Sequence, residues 1–193
     1  MSKRLHIAQA GLRYLEARKP PADDNSIPDT ERLASLLLLI SSDEEKFENQ
    51  LERTDSLPYA SSREESLLIK QIYEDLDSLE EQLREAADLR LHMAKQTHED
   101  ASARGEELVT TAMEAEDEST INTATDEATT LFQDSARNVS AAKRQAEATE
   151  TQIEDLLRRT QDVIAAAKER WARAREEKAR AAAAEEQAQA EAN

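Results

Sequence analysis

Apolar residues recur every three or four positions along most of the chain, which is the pattern of helices that are buried on one side. In residues 26–57, Ser26 and Asp29 have the spacing of a helix N-cap, and Pro28 suits the first turn. This helix must end before Pro58. Its apolar stripe consists of Leu33, Leu37, Ile40, Phe47 and Leu51.

Three further leucines widen the apolar face of this predicted helix. Leu36, Leu38 and Leu39 lie beside the stripe rather than on it. A face of this width indicates a helix that packs on two sides within a bundle, instead of one that contributes to a two-stranded seam.

The longest regular pattern follows a predicted turn at residues 58–61. Ser62 and Glu65 have the spacing of a capping box, which predicts a coiled-coil helix over 62–118. Beyond Ala86 its stripe becomes alanine-rich and contains Gly105, so this part should be thin, closely packed or mobile. Before Ala86, the predicted helix has an uncharged heptad seam that consists of Ile69, Ile72, Leu76, Leu79 and Leu83.

The sequence leaves two arrangements open for residues 116–127. This segment is acidic and rich in Thr and Ser, which favours a turn and hence a hairpin. It contains neither Gly nor Pro, however, and the seam after it keeps the earlier heptad frame, which favours a continuous or kinked helix. We therefore expect a second long helix, or a continuation of the first, over 119–180, and a frayed tail over 181–193. The seam residues of this segment are Ile121, Phe132, Val139, Ile153, Leu156 and Val163.

Residues 1–19 form a short segment that is amphipathic and basic. It carries five Lys and Arg residues against Glu16 alone, and a linker over 20–25 separates it from the next helix. The pattern predicts a short docking helix, with a mitochondrial presequence or a helix lying on a membrane surface as alternatives. Its apolar stripe is Leu5, Ala8, Leu12 and Leu15.

The composition agrees with helices that share thin apolar seams. The chain has 2 Gly and 4 Pro in 193 residues, with 3% aromatic and 35% charged residues, so turns and large core side chains are scarce. The predicted fold is all-α: an elongated coiled-coil or helical-bundle subunit with short N-terminal helices and long C-terminal helices.

The net charge of −17 disfavours nucleic-acid binding, because a polyanionic ligand requires a basic surface. No apolar run approaches the roughly 18 residues that span a bilayer, so we expect no transmembrane segment, although residues 1–19 could contact a membrane peripherally. The chain has no cysteine, and its two glycines cannot build a phosphate-binding loop.

Helical bundles can hold metal ions between carboxylates and histidines. Asp88 and His92 lie four residues apart on one helical face, but no other histidine has ligand spacing. The Glu-x-x-His pairs of di-iron bundles are absent, since Leu89 and Lys95 precede His92 and His98 by three residues. We therefore expect no metal site, no cofactor, no small-molecule substrate and no catalytic residues.

These patterns predict a non-catalytic subunit that binds other coiled-coil proteins in a hetero-oligomeric, eukaryotic-type assembly, such as a kinetochore, spindle, tethering or scaffold complex. The seam residues would form the contacts with partners. The corresponding location is cytoplasmic or nuclear. The alternatives are an organelle-targeted or membrane-surface protein that uses residues 1–19, and a stress-type protein that becomes helical only on contact.

Overall fold

The computed structural model describes residues 28–191, which form three helices and no strand: α1 (Asp29–Ser56), α2 (Ser62–Glu114) and α3 (Glu118–Glu191). The predicted all-α fold is confirmed for this part of the chain. The predicted short helix over 1–19, the linker over 20–25 and the N-cap at Ser26 lie outside the described residues.

The described residues divide into two compact units, and each helix contributes a segment to both. Unit 1 contains residues 28–39 and 82–151. Unit 2 contains residues 40–81 and 152–191.

The first turn of α2 is fixed by a capping box that lies one residue earlier than predicted. The Ser61 backbone N–H donates to Glu64 Oε2 at 2.8 Å, and the Glu64 N–H donates to Ser61 Oγ at 3.3 Å. The prediction of Ser62 and Glu65 as this pair is therefore wrong. Glu65 instead accepts from Arg175 Nη1 of α3 at 2.7 Å, an attraction that the local sequence pattern could not show.

A break at residues 115–117 separates α2 from α3. Asp117 accepts the Thr120 N–H at 2.8 Å and so caps the first turn of α3, where a carboxylate also interacts favourably with the helix dipole. Of the two arrangements that the sequence left open, the chain therefore forms the hairpin. The shared heptad frame, which favoured a continuous or kinked helix, does not prevent the break. An acidic side chain at the N-cap position thus starts the second helix of the hairpin, and the break before it contains neither Gly nor Pro.

In unit 1, α2 runs antiparallel to both of its neighbours. Toward α1, Arg32 pairs with Glu85, and Asp29 Oδ2 lies 3.9 Å from His92 Nε2. Toward α3, Arg84 Nε lies 3.3 Å from Glu150 Oε1, and a second contact joins His98 to Ser135. Half of the buried apolar residues are alanines and half are leucines: Leu36, Leu83, Ala86, Ala87, Leu89, Leu108, Ala124 and Ala128.

In unit 2, α1 and α3 run parallel, as their contacts show: later residues of α1 contact later residues of α3. Gln152 donates to Glu44, and the Arg159 guanidinium donates to both carboxylate oxygens of Glu48 at 2.6 Å. The core of this unit includes the larger side chains of Phe47 and Trp171. Its buried apolar residues are Ile40, Phe47, Leu51, Ala60, Ile72, Leu76, Leu79, Ile153, Ile164, Ala167 and Trp171.

Helix α3 continues through residues 181–191, for which the sequence predicted a frayed tail. All these residues are exposed, so no core holds them in place. Their composition supplies the reason, because the segment consists of Ala, Glu and Gln, which form helix by local propensity.

Candidate interaction surfaces

Eight of the predicted seam residues are buried by the helices of the chain itself. Each is at most 8% exposed, so none can touch a partner unless the helices separate. We predicted that these residues bind a partner, but they form an intramolecular core, because α1, α2 and α3 cover one another within each unit. They are Ile40, Phe47, Leu51, Ile72, Leu76, Leu79, Leu83 and Ile153.

The other predicted seam residues are less completely covered. Ile121, near the start of α3, is 36% exposed. The rest are partly buried, so their predicted contact with a partner stays a prediction. They are Leu33, Leu37, Ile69, Phe132, Val139, Leu156 and Val163.

The end of α1 in unit 2 is held by donors from α3. The buried Trp171 ring donates its Nε1–H to the Leu57 carbonyl at 2.8 Å, and Arg170 Nη2 donates to the Thr54 carbonyl at 3.2 Å. Carbonyls at a helix C-terminus lack partners within the helix, and cations are favoured there. Arg175 Nη1 donates to the Ala60 carbonyl at 2.9 Å and thereby fixes the connection into α2.

Helix α3 has a buried row that the predicted seam covers only in part, because Ile153 belongs to that seam whereas Thr160 and Ile164 do not. Ile153, Thr160, Ile164, Ala167 and Trp171 follow one another at spacings of seven, four, three and four, and all are buried. The polar Thr160 can be buried in this row because its hydroxyl donates a hydrogen bond to the Leu156 carbonyl at 2.7 Å. The spacing alone was a usable signal for Ile164.

In unit 1, Gly105 allows α2 and α3 to approach closely. A Cβ atom added at Gly105 would lie 2.5 Å from Cζ of Phe132, so the ring occupies the space that any other residue would need. His98 Nδ1 lies 2.8 Å from Ser135 Oγ in the same pair of helices. Of the alternatives that the sequence offered for this segment, close packing applies around Gly105.

Several large apolar side chains remain exposed on the single chain. On α1, Leu38 is 69% exposed and Leu39 is 47% exposed, although Leu36 and Ile40 beside them are buried. The other exposed apolar side chains are Tyr59, Leu67, Val109, Met113, Ile121 and Leu157. The leucine-rich run of α1 thus has one side in the core and one side in solvent.

Among residues 28–191, three ionisable groups have displaced pKa values. Hydrogen bonds from Ser61 lower the pKa of Glu64, and the Thr120 N–H lowers the pKa of Asp117; both carboxylates are fully exposed. Burial lowers the pKa of Arg90. The two carboxylates cap helices and Arg90 is displaced by burial alone, so these shifts have structural causes.

Residues 28–191 contain no group of three or more His, Asp and Glu side chains placed to hold a metal ion. His92 lies near Asp29 of α1. None of the three helices is both long enough and apolar enough to cross a bilayer.

Comparison with known proteins gives no match: no protein family, curated protein or solved structure resembles the chain significantly.

Proposed function

We propose that this chain is a non-catalytic interaction subunit that binds other helical proteins through apolar side chains outside its own cores. The observation that carries the proposal is the exposed pair Leu38 and Leu39 on α1, beside the buried Leu36 and Ile40. A helix that is apolar on two sides and covered on one is suited to receive a second helix on the other.

The expected partner is a helix with an apolar stripe, because exposed leucines gain free energy only when apolar surface covers them. Full burial of a leucine side chain contributes about 1.5–3 kcal/mol, so two leucines alone do not make a stable complex. A specific interface generally involves about 20–30 residues on each side. The partner should therefore cover a longer part of the bundle, in a hetero-oligomeric assembly of the tethering or scaffold type.

The test uses the tagged full chain, affinity purification from its native cells and cross-linking with mass spectrometry. We expect a reproducible helical partner whose cross-links to this chain cluster on α1. The double substitution Leu38→Asp and Leu39→Asp should abolish its recovery while leaving the helical circular dichroism unchanged, since both side chains are exposed.

A matched control is the double substitution Ala182→Asp and Ala183→Asp, which places the same charge on two adjacent exposed apolar residues of α3. This variant should recover the partner normally. Undiminished recovery with the leucine variant, or equal loss with both variants, would contradict the proposal.

A further inference from the structure

Beyond the start of α1, the described part of unit 1 consists of two helices. Asp29, the first residue of α1, lies beside His92 of α2, and α1 runs from there toward Glu85. Helix α2 continues in the opposite direction to Glu114, and α3 returns antiparallel to it. We call residues 93–114 and 118–140 the hairpin.

The hairpin leaves apolar side chains incompletely covered. Its small core contains Leu108 at 9% exposure, against which Leu131 and Phe132 pack while remaining partly buried. Val109 is 43% exposed and Met113 is 82% exposed. In unit 2, where three helices meet, Leu51, Ile72, Leu76 and Leu79 are each at most 1% exposed. A third helix would give the hairpin comparable cover.

The chain itself offers residues 1–19 as a candidate for this third helix. Because Asp29 lies beside His92 and α1 runs away from the hairpin, the chain enters α1 at the end of the hairpin that is opposite its turn at residues 115–117. Residues 20–27 can span up to about 26–29 Å when extended. A helix over residues 2–18 would be about 25 Å long, against about 33 Å for residues 93–114 of α2.

The chemistry of the two surfaces is complementary. The hairpin contains nine carboxylates and three basic residues, Lys95, Arg104 and Arg137, whereas residues 1–19 carry five basic residues and one carboxylate. Opposite charges of this kind set the orientation and favour the encounter of two surfaces. The stripe of Leu5, Ala8, Leu12 and Leu15 supplies an apolar face that can cover the exposed apolar side chains of the hairpin.

We propose that residues 1–19 of the same chain dock as a basic amphipathic helix on the acidic hairpin. The short connection raises the effective concentration of the segment to roughly the millimolar range, so a weak contact suffices. This inference does not depend on the proposed function, because it concerns a contact within one chain.

The first test is carbodiimide cross-linking of the full chain, which joins lysine ammonium groups to carboxylates in direct contact. An equal mixture of unlabelled and ¹⁵N-labelled chains distinguishes contacts within one chain from contacts between chains. We expect Lys3 or Lys19 to link to hairpin carboxylates in same-isotope pairs. Mixed-isotope pairs would show that residues 1–19 of a second copy contact the hairpin. The absence of any link to the hairpin would show that residues 1–19 do not dock there. Either result overturns the proposal.

The second test is hydrogen exchange of the hairpin amides. The double substitution Leu5→Asp and Leu12→Asp should increase their exchange about tenfold or more, because an undocked hairpin opens more readily. The control double substitution Ala10→Asp and Ala17→Asp adds the same charge on the opposite side of the predicted helix and should leave exchange near the wild-type rate. Equal exchange in both variants overturns the proposal.

Discussion

At the scale of single residues, the two units use opposite ways of bringing helices together. In unit 2, the large Trp171 ring is fully buried and its N–H satisfies the carbonyl of Leu57. In unit 1, the absence of a side chain at Gly105 makes room for Phe132. Each of these two contacts requires a particular residue type. Trp combines a large apolar ring with a hydrogen-bond donor, and Gly alone lacks a Cβ.

Gly105→Ala tests the close approach of α2 and α3. The substitution removes a helix penalty of about 1 kcal/mol, but it places a Cβ 2.5 Å from Phe132, and overpacking of this kind costs about 1–3 kcal/mol. We expect a net loss of stability, measured by hydrogen exchange of residues in the α2–α3 pair.

The control for this prediction is the same substitution in a Phe132→Leu background. Without the ring, Gly105→Ala should become stabilising, because only the gain in helix propensity remains. A stabilising effect with Phe132 present would contradict the clash.

At the scale of helices, the decisive feature is the three-residue break before α3. It converts a sequence with one continuous heptad frame into an antiparallel pair, and Asp117 makes the bond that defines the first turn of α3. The hydroxyl groups of Thr123 and Thr125 donate back to carbonyls four residues earlier, so these weak helix formers satisfy their polar atoms inside the helix.

The Asp117 cap should make the start of α3 sensitive to acid. The folded pKa of Asp117 is lowered, so its stabilisation is complete above the unfolded pKa and is lost as pH falls through the folded pKa. Amide exchange of residues 118–124, corrected for its intrinsic pH dependence, should therefore show weaker protection in acid.

Two substitutions separate the charge of this cap from its hydrogen bond. Asp117→Asn should keep the cap and reduce the acid dependence, whereas Asp117→Ala should weaken protection at every pH, because alanine offers no acceptor. The same pH dependence in the wild-type chain and in the Asp117→Asn variant would contradict the role of the carboxylate.

At the scale of the whole molecule, the chain buries half of its predicted seam residues with its own helices. The full burial of Ile72 and near-complete burial of Leu51, Leu76 and Leu79 require no second chain. Intramolecular cover of this kind argues against a stress-type protein that becomes helical only when it meets a partner.

We therefore expect the isolated chain to be strongly helical by circular dichroism at micromolar concentration. Tenfold dilution should change neither the ellipticity per residue nor the melting temperature, because the buried contacts are intramolecular. The control is Leu76→Asp, which places a charge in the core of unit 2 and should reduce both the helicity and the melting temperature. A melting temperature that falls on dilution would show that the helices depend on association.

The sequence by itself determined the local features of this protein. The three-four spacing of apolar residues, the scarcity of Gly and Pro and the high helix propensity predicted the helical segments, because these properties act between residues close together in the chain. They also identified as apolar seam residues Phe47, Leu51, Ile72 and Leu76, which the structure buries.

Only the tertiary structure decided which helix covers which seam. The sequence pattern of a seam residue is the same whether the helix that covers it belongs to this chain or to another. The pattern therefore predicted that Leu76 contacts a partner, although the chain itself buries it. The bonds from Trp171 and Arg175 to the α1–α2 connection likewise depend on residues far apart in sequence. The solvent-facing side of α1 at Leu38 became distinguishable from its core side only once the helices were packed, because exposure is a property of the assembled helices.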